Sequence, residues 1–263
     1  MERKSLTIGI LVVLAIVLFL GGGIYAVMTY YGSWQGAFTD QADGQDQQNG
    51  NKENPEPVVS EGAKTIPLPS GYETLDRSRS TYSAEQDAKQ TKALNERLAI
   101  IRETPTSVWA WIELGGIKYG FKDFQGAEVA WIHATRLAPS HTPAYANLAE
   151  LYWRRTKDYG KAEMMMKRVL EIDQTYVAMY RNLSDLYRYD YTQKSALADD
   201  ILKEGIAKLP TEDELVAHLA YYYVEMKDWQ NAVTYLEKLS SARTGDAQIA
   251  ADLADARKML AEQ

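Results

Sequence analysis

A pattern of small and aromatic residues returns along this chain at an interval close to 34 residues, and it leaves few folds open. The clearest copy runs from Trp111 through Leu114 and Gly115, then, after a short polar break, Ala127, Trp131 and Ala134, to Pro139. Its next copy holds Tyr145, Leu148, Ala149 and Tyr152, followed by Ala162, Met166 and Val169, with one residue added, which we assign to the turn. A third copy holds Tyr180, Leu183, Ser184 and Tyr187, then Ala198, Leu202, Gly205 and Pro210, and its turn is longer still. The fourth has Val216, Leu219, Ala220 and Tyr223, then Ala232, Leu236 and Leu239. Backwards, Pro105, Ala93 and Ile100 continue the register while Arg97 breaks it; Leu94, Leu98 and Ile101 still give an apolar helix face. That helix is read as the second half of an incomplete preceding unit. Every proline after residue 83 falls between helices or at a helix start, where a missing N–H is tolerated. The final run, with Ile249, Leu253, Ala256 and Leu260 on one face, reads as a closing helix that covers the last apolar surface.

This order resembles the tetratricopeptide repeat (TPR), a helix–turn–helix unit with small residues where its two helices touch. The resemblance covers residues 83–263 and implies an all-α solenoid of about four repeats plus a capping helix. One departure stands in the first copy, where the aromatic expected three residues after Gly115 comes one place late, at Tyr119.

Residues 1–5 carry Arg3 and Lys4, and residues 6–28 contain no charge. Roughly 20 apolar residues suffice to cross a bilayer core, so 6–28 is expected to be an uncleaved transmembrane helix rather than a signal peptide. Basic residues before the span, and none after it until Lys52, put the N-terminus in the cytoplasm and the rest outside it. The expected location is therefore the cell (inner) membrane, single-pass, with the repeats extracytoplasmic. Residues 29–82, rich in Gln, Asn, Asp, Gly and Pro, are expected to form a disordered linker.

Composition removes several classes of function. A net charge of −7 argues against a general nucleic-acid binder. The absence of cysteine excludes disulfides and thiolate chemistry. His133, His141 and His218 form no metal-ligand spacing, and no nucleophile elbow or phosphate loop occurs, so neither an enzyme nor a cofactor site is expected.

In the TPR family the first helix of each repeat lines a concave groove. The resemblance places Trp109, Ile112, Glu113 and Tyr119 there from the first repeat, and Asn147, Glu150, Trp153 and Arg154 from the second. The third gives Arg181, Asn182, Asp185, Arg188 and Tyr189, and the fourth His218, Tyr221 and Glu225. Arg181, Asp185 and Arg188 share one helix face by spacing, and could pair among themselves. Tyr180, Tyr187 and Tyr223 read as core. The Lys–Asn pair of the family's carboxylate clamp is replaced by Ile112 and Gly116, so that clamp is not expected. Rings, guanidinium groups and amides suit a protein or peptide partner better than a small molecule. The expected function is a membrane-anchored scaffold in envelope complex assembly. A chaperone-like companion of the secretion translocon and an organelle-surface import receptor are the alternatives.

Overall fold

In the computed structural model, residues 55–263 are described; the expected transmembrane helix, 6–28, and the flanking 1–5 lie outside them. Among the described residues ten α-helices succeed one another: α1 (Ala84–Glu103), α2 (Val108–Gly120), α3 (Phe124–Leu137), α4 (Thr142–Glu150), α5 (Tyr159–Ile172), α6 (Val177–Asp185), α7 (Ala198–Lys208), α8 (Asp213–Met226), α9 (Trp229–Ala242) and α10 (Ala247–Ala261). Four antiparallel pairs, α2/α3, α4/α5, α6/α7 and α8/α9, are the four repeats; α1 precedes them and α10 closes the array. Among the described residues no helix is long and apolar enough to cross a membrane.

Local signals set the boundaries. Ser83 and Gln86 form a reciprocal capping box at the start of α1, satisfying two backbone donors that the helix leaves unpaired. Three of the turns inside repeats share one device, Lys–Asp–aromatic, at 122–124, 157–159 and 227–229. Each lysine takes the left-handed conformation that stops a helix, with φ of 63°, 58° and 57°. Each following aspartate accepts a backbone N–H at the start of the next helix: Gly126, Lys161 and Asn231. In the third repeat a 3₁₀ helix, Thr192–Leu197, takes the place of this turn.

The residue added to the second copy does not lengthen its turn. It is absorbed inside the first helix, which widens into π geometry over Leu151–Thr156; α6 does the same over Leu186–Asp190. A π turn accommodates one extra residue while the chain still reaches the same turn.

The linker expectation fails for the described residues 55–82. They form an ordered strap against α1, α2 and α3. Glu56 accepts from the Val108 N–H at 3.0 Å and from the Ser107 hydroxyl, capping α2. Ser60 N–H donates to the Leu137 carbonyl at 2.7 Å, and Ala63 is buried. Tyr72 lies 5.1 Å from the Trp111 ring, and Tyr82 stands edge-on to Phe121 at 5.0 Å. Average composition hid these few apolar anchors among many polar residues. The core divides accordingly. The strap, α1, α2 and one stripe of α3, with Ala144 of α4, form one cluster; an adjoining stripe of α3 joins the rest of α4 and the later helices in another.

Candidate functional site

The face made by the first helices, α2, α4, α6 and α8, is crossed by side-chain bridges from each helix to the next. Tyr119 approaches Glu150 at 3.5 Å. Trp153 donates its indole N–H to Asp190 at 2.6 Å. Arg181 pairs with Glu214 at 2.8 Å, Asp185 with His218 at 2.9 Å, and Arg188 with Glu225. Tyr221 donates to Asp252 of α10 at 2.7 Å. Arg181, Asp185 and Arg188 thus do share a face, but they pair across to α8 rather than among themselves. Neighbouring helices offer a partner at closer reach than residues on their own turn.

Aromatic rings carry several of these cations. The Arg154 guanidinium lies 3.3 Å from the Trp153 ring centroid, and Arg155 lies 5.1 Å from Tyr119. Arg188 sits between Tyr189, at 4.7 Å, and Tyr222, at 5.0 Å. Burial raises the Glu150 carboxyl above its usual range, against the pull of Arg154 and Arg155.

Behind this face a further device recurs. Tyr152 donates to Glu128 at 2.7 Å, Tyr187 to Glu163 at 2.8 Å, and Tyr223 to Asp199 at 2.8 Å. Each acid lies 24 residues upstream, on the second helix of the preceding repeat. Lysines complete the trio: Lys161 on Glu128, Lys167 and Lys194 on Glu163, Lys203 on Asp199. The tyrosines are core, as expected, yet each hydroxyl ties two repeats together. In the first repeat this place is held by Lys118, which is buried and donates to the Thr74 carbonyl of the strap, with Asp123 at 3.6 Å. That substitution explains the late aromatic: Tyr119 is half-buried beside the core place, not in it.

A tetratricopeptide repeat profile matches residues 142–176, the second helix pair with the approach to the third. A search of the curated proteins finds no significant match. Among solved structures, the C-terminal part of a TPR repeat-containing protein from Cytophaga hutchinsonii is 18% identical. It covers 64% of this chain and 69% of its own, with a TM-score of 0.50. A tetratricopeptide repeat protein from Parabacteroides merdae is 16% identical over 66% of this chain and 68% of its own, with a TM-score of 0.49. MamA is 18% identical over 64% of this chain and 99% of its own, with a TM-score of 0.48. The helical array is a TPR solenoid.

Within that solenoid the expected groove residues divide. Ile112, Trp153 and Asn182 are buried, at 7%, 1% and 2% exposure, and so are unavailable to a partner. Trp153 is turned inward by the π segment in which it lies, a shift of helical phase that repeat spacing alone does not show. Trp109 is half-buried and occupied: its indole donates to the Pro55 carbonyl at 3.0 Å, and its ring meets His141 edge-on. Asn147, Glu150, Arg154, Arg181, Asp185, Arg188 and His218 are half-buried, most of them within the bridges. Tyr189 and Tyr221 remain open, at 57% and 37%. Arg155 is an addition that repeat spacing does not select; it follows Arg154 directly, and only the π geometry brings it onto Tyr119, its Nε donating at 2.5 Å.

Proposed function

We propose that this chain is a membrane-anchored scaffold that holds a partner protein on the first-helix face of its TPR solenoid, outside the cytoplasm. The observation that carries this reading is the state of that face. Bridges between consecutive helices hold its polar groups in place before any partner arrives, while the Tyr189 and Tyr221 rings stay exposed beside them. Preorganised polar groups with open aromatic anchors are what a protein interface uses, since little conformational freedom is then lost on association. The charge-free run at 6–28 and the basic residues before it support the anchor and its orientation. A tethered surface also meets its membrane neighbours at high effective concentration, so a modest affinity suffices.

The test is crosslinking in the membrane followed by mass spectrometry, on the wild type and on Tyr189→Ala/Tyr221→Ala. A small set of partners lost from the variant supports a scaffold with a dedicated complex, and a broad set of unfolded exported proteins favours the translocon companion. Equal profiles refute the assignment of this face. Protease treatment of intact cells checks orientation, because an organelle receptor would present its repeats to the cytosol.

A further inference from the structure

We propose that the cation cluster where α4 ends, Arg154, Arg155 and Lys157, receives an acidic segment of the partner protein. This inference rests on the scaffold reading and names the chemistry of part of the same face.

The chain is acidic overall, yet at this place its own carboxylates are already engaged. Glu128 takes the Tyr152 hydroxyl and Lys161. Asp158 caps α5 and meets Lys161 at 3.5 Å. Asp190 takes the Trp153 indole. Glu150 is largely buried, and its only ion pair among the described residues is a long one, 4.0 Å, with Arg154. Arg155 and Lys157 form no ion pair with a carboxylate among the described residues, and both are exposed. Lys157 stands in the left-handed turn position, which carries its side chain clear of α4.

The two guanidinium groups are also held. Arg154 rests against the Trp153 ring and Arg155 is tied through its Nε to the Tyr119 hydroxyl, and a held fork matches a carboxylate with less entropy left to lose. Glu150 Oε2 is buried beneath Arg154, so the surface presented at this place is that of the cations. A peptide segment bearing Asp or Glu supplies the carboxylate that these cations lack. Cations at a helix C-terminus also suit the helix dipole, but that purpose does not require them to be held by neighbouring rings and hydroxyls.

The experiment uses the full chain in detergent and a fluorescein-labelled peptide of alternating Glu and Gly, read by anisotropy. Controls of the same length replace Glu by Gln or by Lys. The Glu peptide should bind and weaken with added salt, and the Gln and Lys peptides should not bind. Arg154→Gln/Arg155→Gln should lower affinity by about tenfold or more. Lys157→Gln, an exposed substitution with no packing to lose, should lower it by about threefold. If the Gln peptide binds as tightly as the Glu peptide, or if neither variant changes affinity, the cluster is not an acidic-segment site. The membrane crosslinking keeps the two readings apart. Partners lost with Tyr189→Ala/Tyr221→Ala but kept with Arg154→Gln/Arg155→Gln would overturn this inference and leave the scaffold standing.

Discussion

Gly115 and Gly116 are adjacent on α2 and meet opposite surroundings. A Cβ on Gly115 would lie 2.3 Å from the indole nitrogen of Trp131, which donates to the Ile112 carbonyl at 2.9 Å. A Cβ on Gly116 would meet nothing within 4 Å. Gly115→Ala should therefore destabilise the protein by about 2–3 kcal/mol through overpacking. Gly116→Ala should stabilise it by about 0.5–1 kcal/mol, because alanine restricts the unfolded chain. Urea midpoints of the two variants decide the point, and equal shifts would mean that α2 and α3 are not in this contact. Gly115 was legible in the sequence as the small residue of the repeat, whereas Gly116, identical in type, packs against nothing. Two ionisable groups carry a pH signature at this scale. Burial, aided by Arg136, lowers His133 to about 4, so the unfolded state takes up its proton first. Its contribution is intact above about pH 6.5 and is lost as pH falls towards 4, and His133→Phe should flatten thermal stability across that window. Burial alone would raise Glu163, but hydrogen bonds from Lys167, Lys194 and Tyr187 outweigh it and hold the carboxyl at about 2. The advantage of wild type over Glu163→Gln should accordingly be full above about pH 5 and shrink as pH falls towards 2. Melting temperatures of these variants and wild type across both windows separate the two contributions.

Elements differ in how openly the sequence announces them. The helices stand out because small residues must recur wherever two helices touch, and caps and prolines mark their ends. The π segments do not, since one added residue has the same length signature in a turn as in a widened helix. That ambiguity misplaces Trp153, because a phase error inside a helix moves a side chain from surface to core. The strap is hidden for a different reason: its order comes from single long-range contacts, which no local pattern reveals. Its removal supplies a direct test. Lys118 is buried, and burial lowers its ionisation range while Asp123 opposes that shift. The Thr74 carbonyl is its other partner. A chain beginning at residue 83 also loses the Glu56 cap on α2, the burial of Ala63 and the contact of Tyr72 with Trp111, and should be less stable than one beginning at 55 by about 3 kcal/mol or more. Chemical denaturation of the two truncated chains measures the difference. If the two lengths unfold together, the strap contacts contribute nothing.

At the scale of the whole array, stability should be transmitted from each repeat to its neighbours and fade beyond them, because a solenoid has no single core that every helix shares. The division of buried residues into two clusters, meeting on adjoining stripes of α3, gives this expectation a location. The tyrosine–carboxylate bonds are the couplings between repeats. They run from α3 to α4, from α5 to α6 and from α7 to α8, while α1 to α2 has the strap and Lys118 instead. Gly205 provides a local lesion. A Cβ there would stand 2.8 Å from both the Leu215 Cδ1 and the Tyr180 Cγ, so Gly205→Ala wedges α7 away from α6 and α8 together. Native-state hydrogen exchange on the variant should show lost protection in α6 to α9, with α1 and α2 close to wild type. Uniform loss along the chain would mean that the repeats unfold as one unit. Retained protection everywhere would mean that Tyr180 can move aside. The first result also bears on function, because Tyr189 and Tyr221 lie within the lesion. The variant should then lose the partner contacts of the third and fourth repeats.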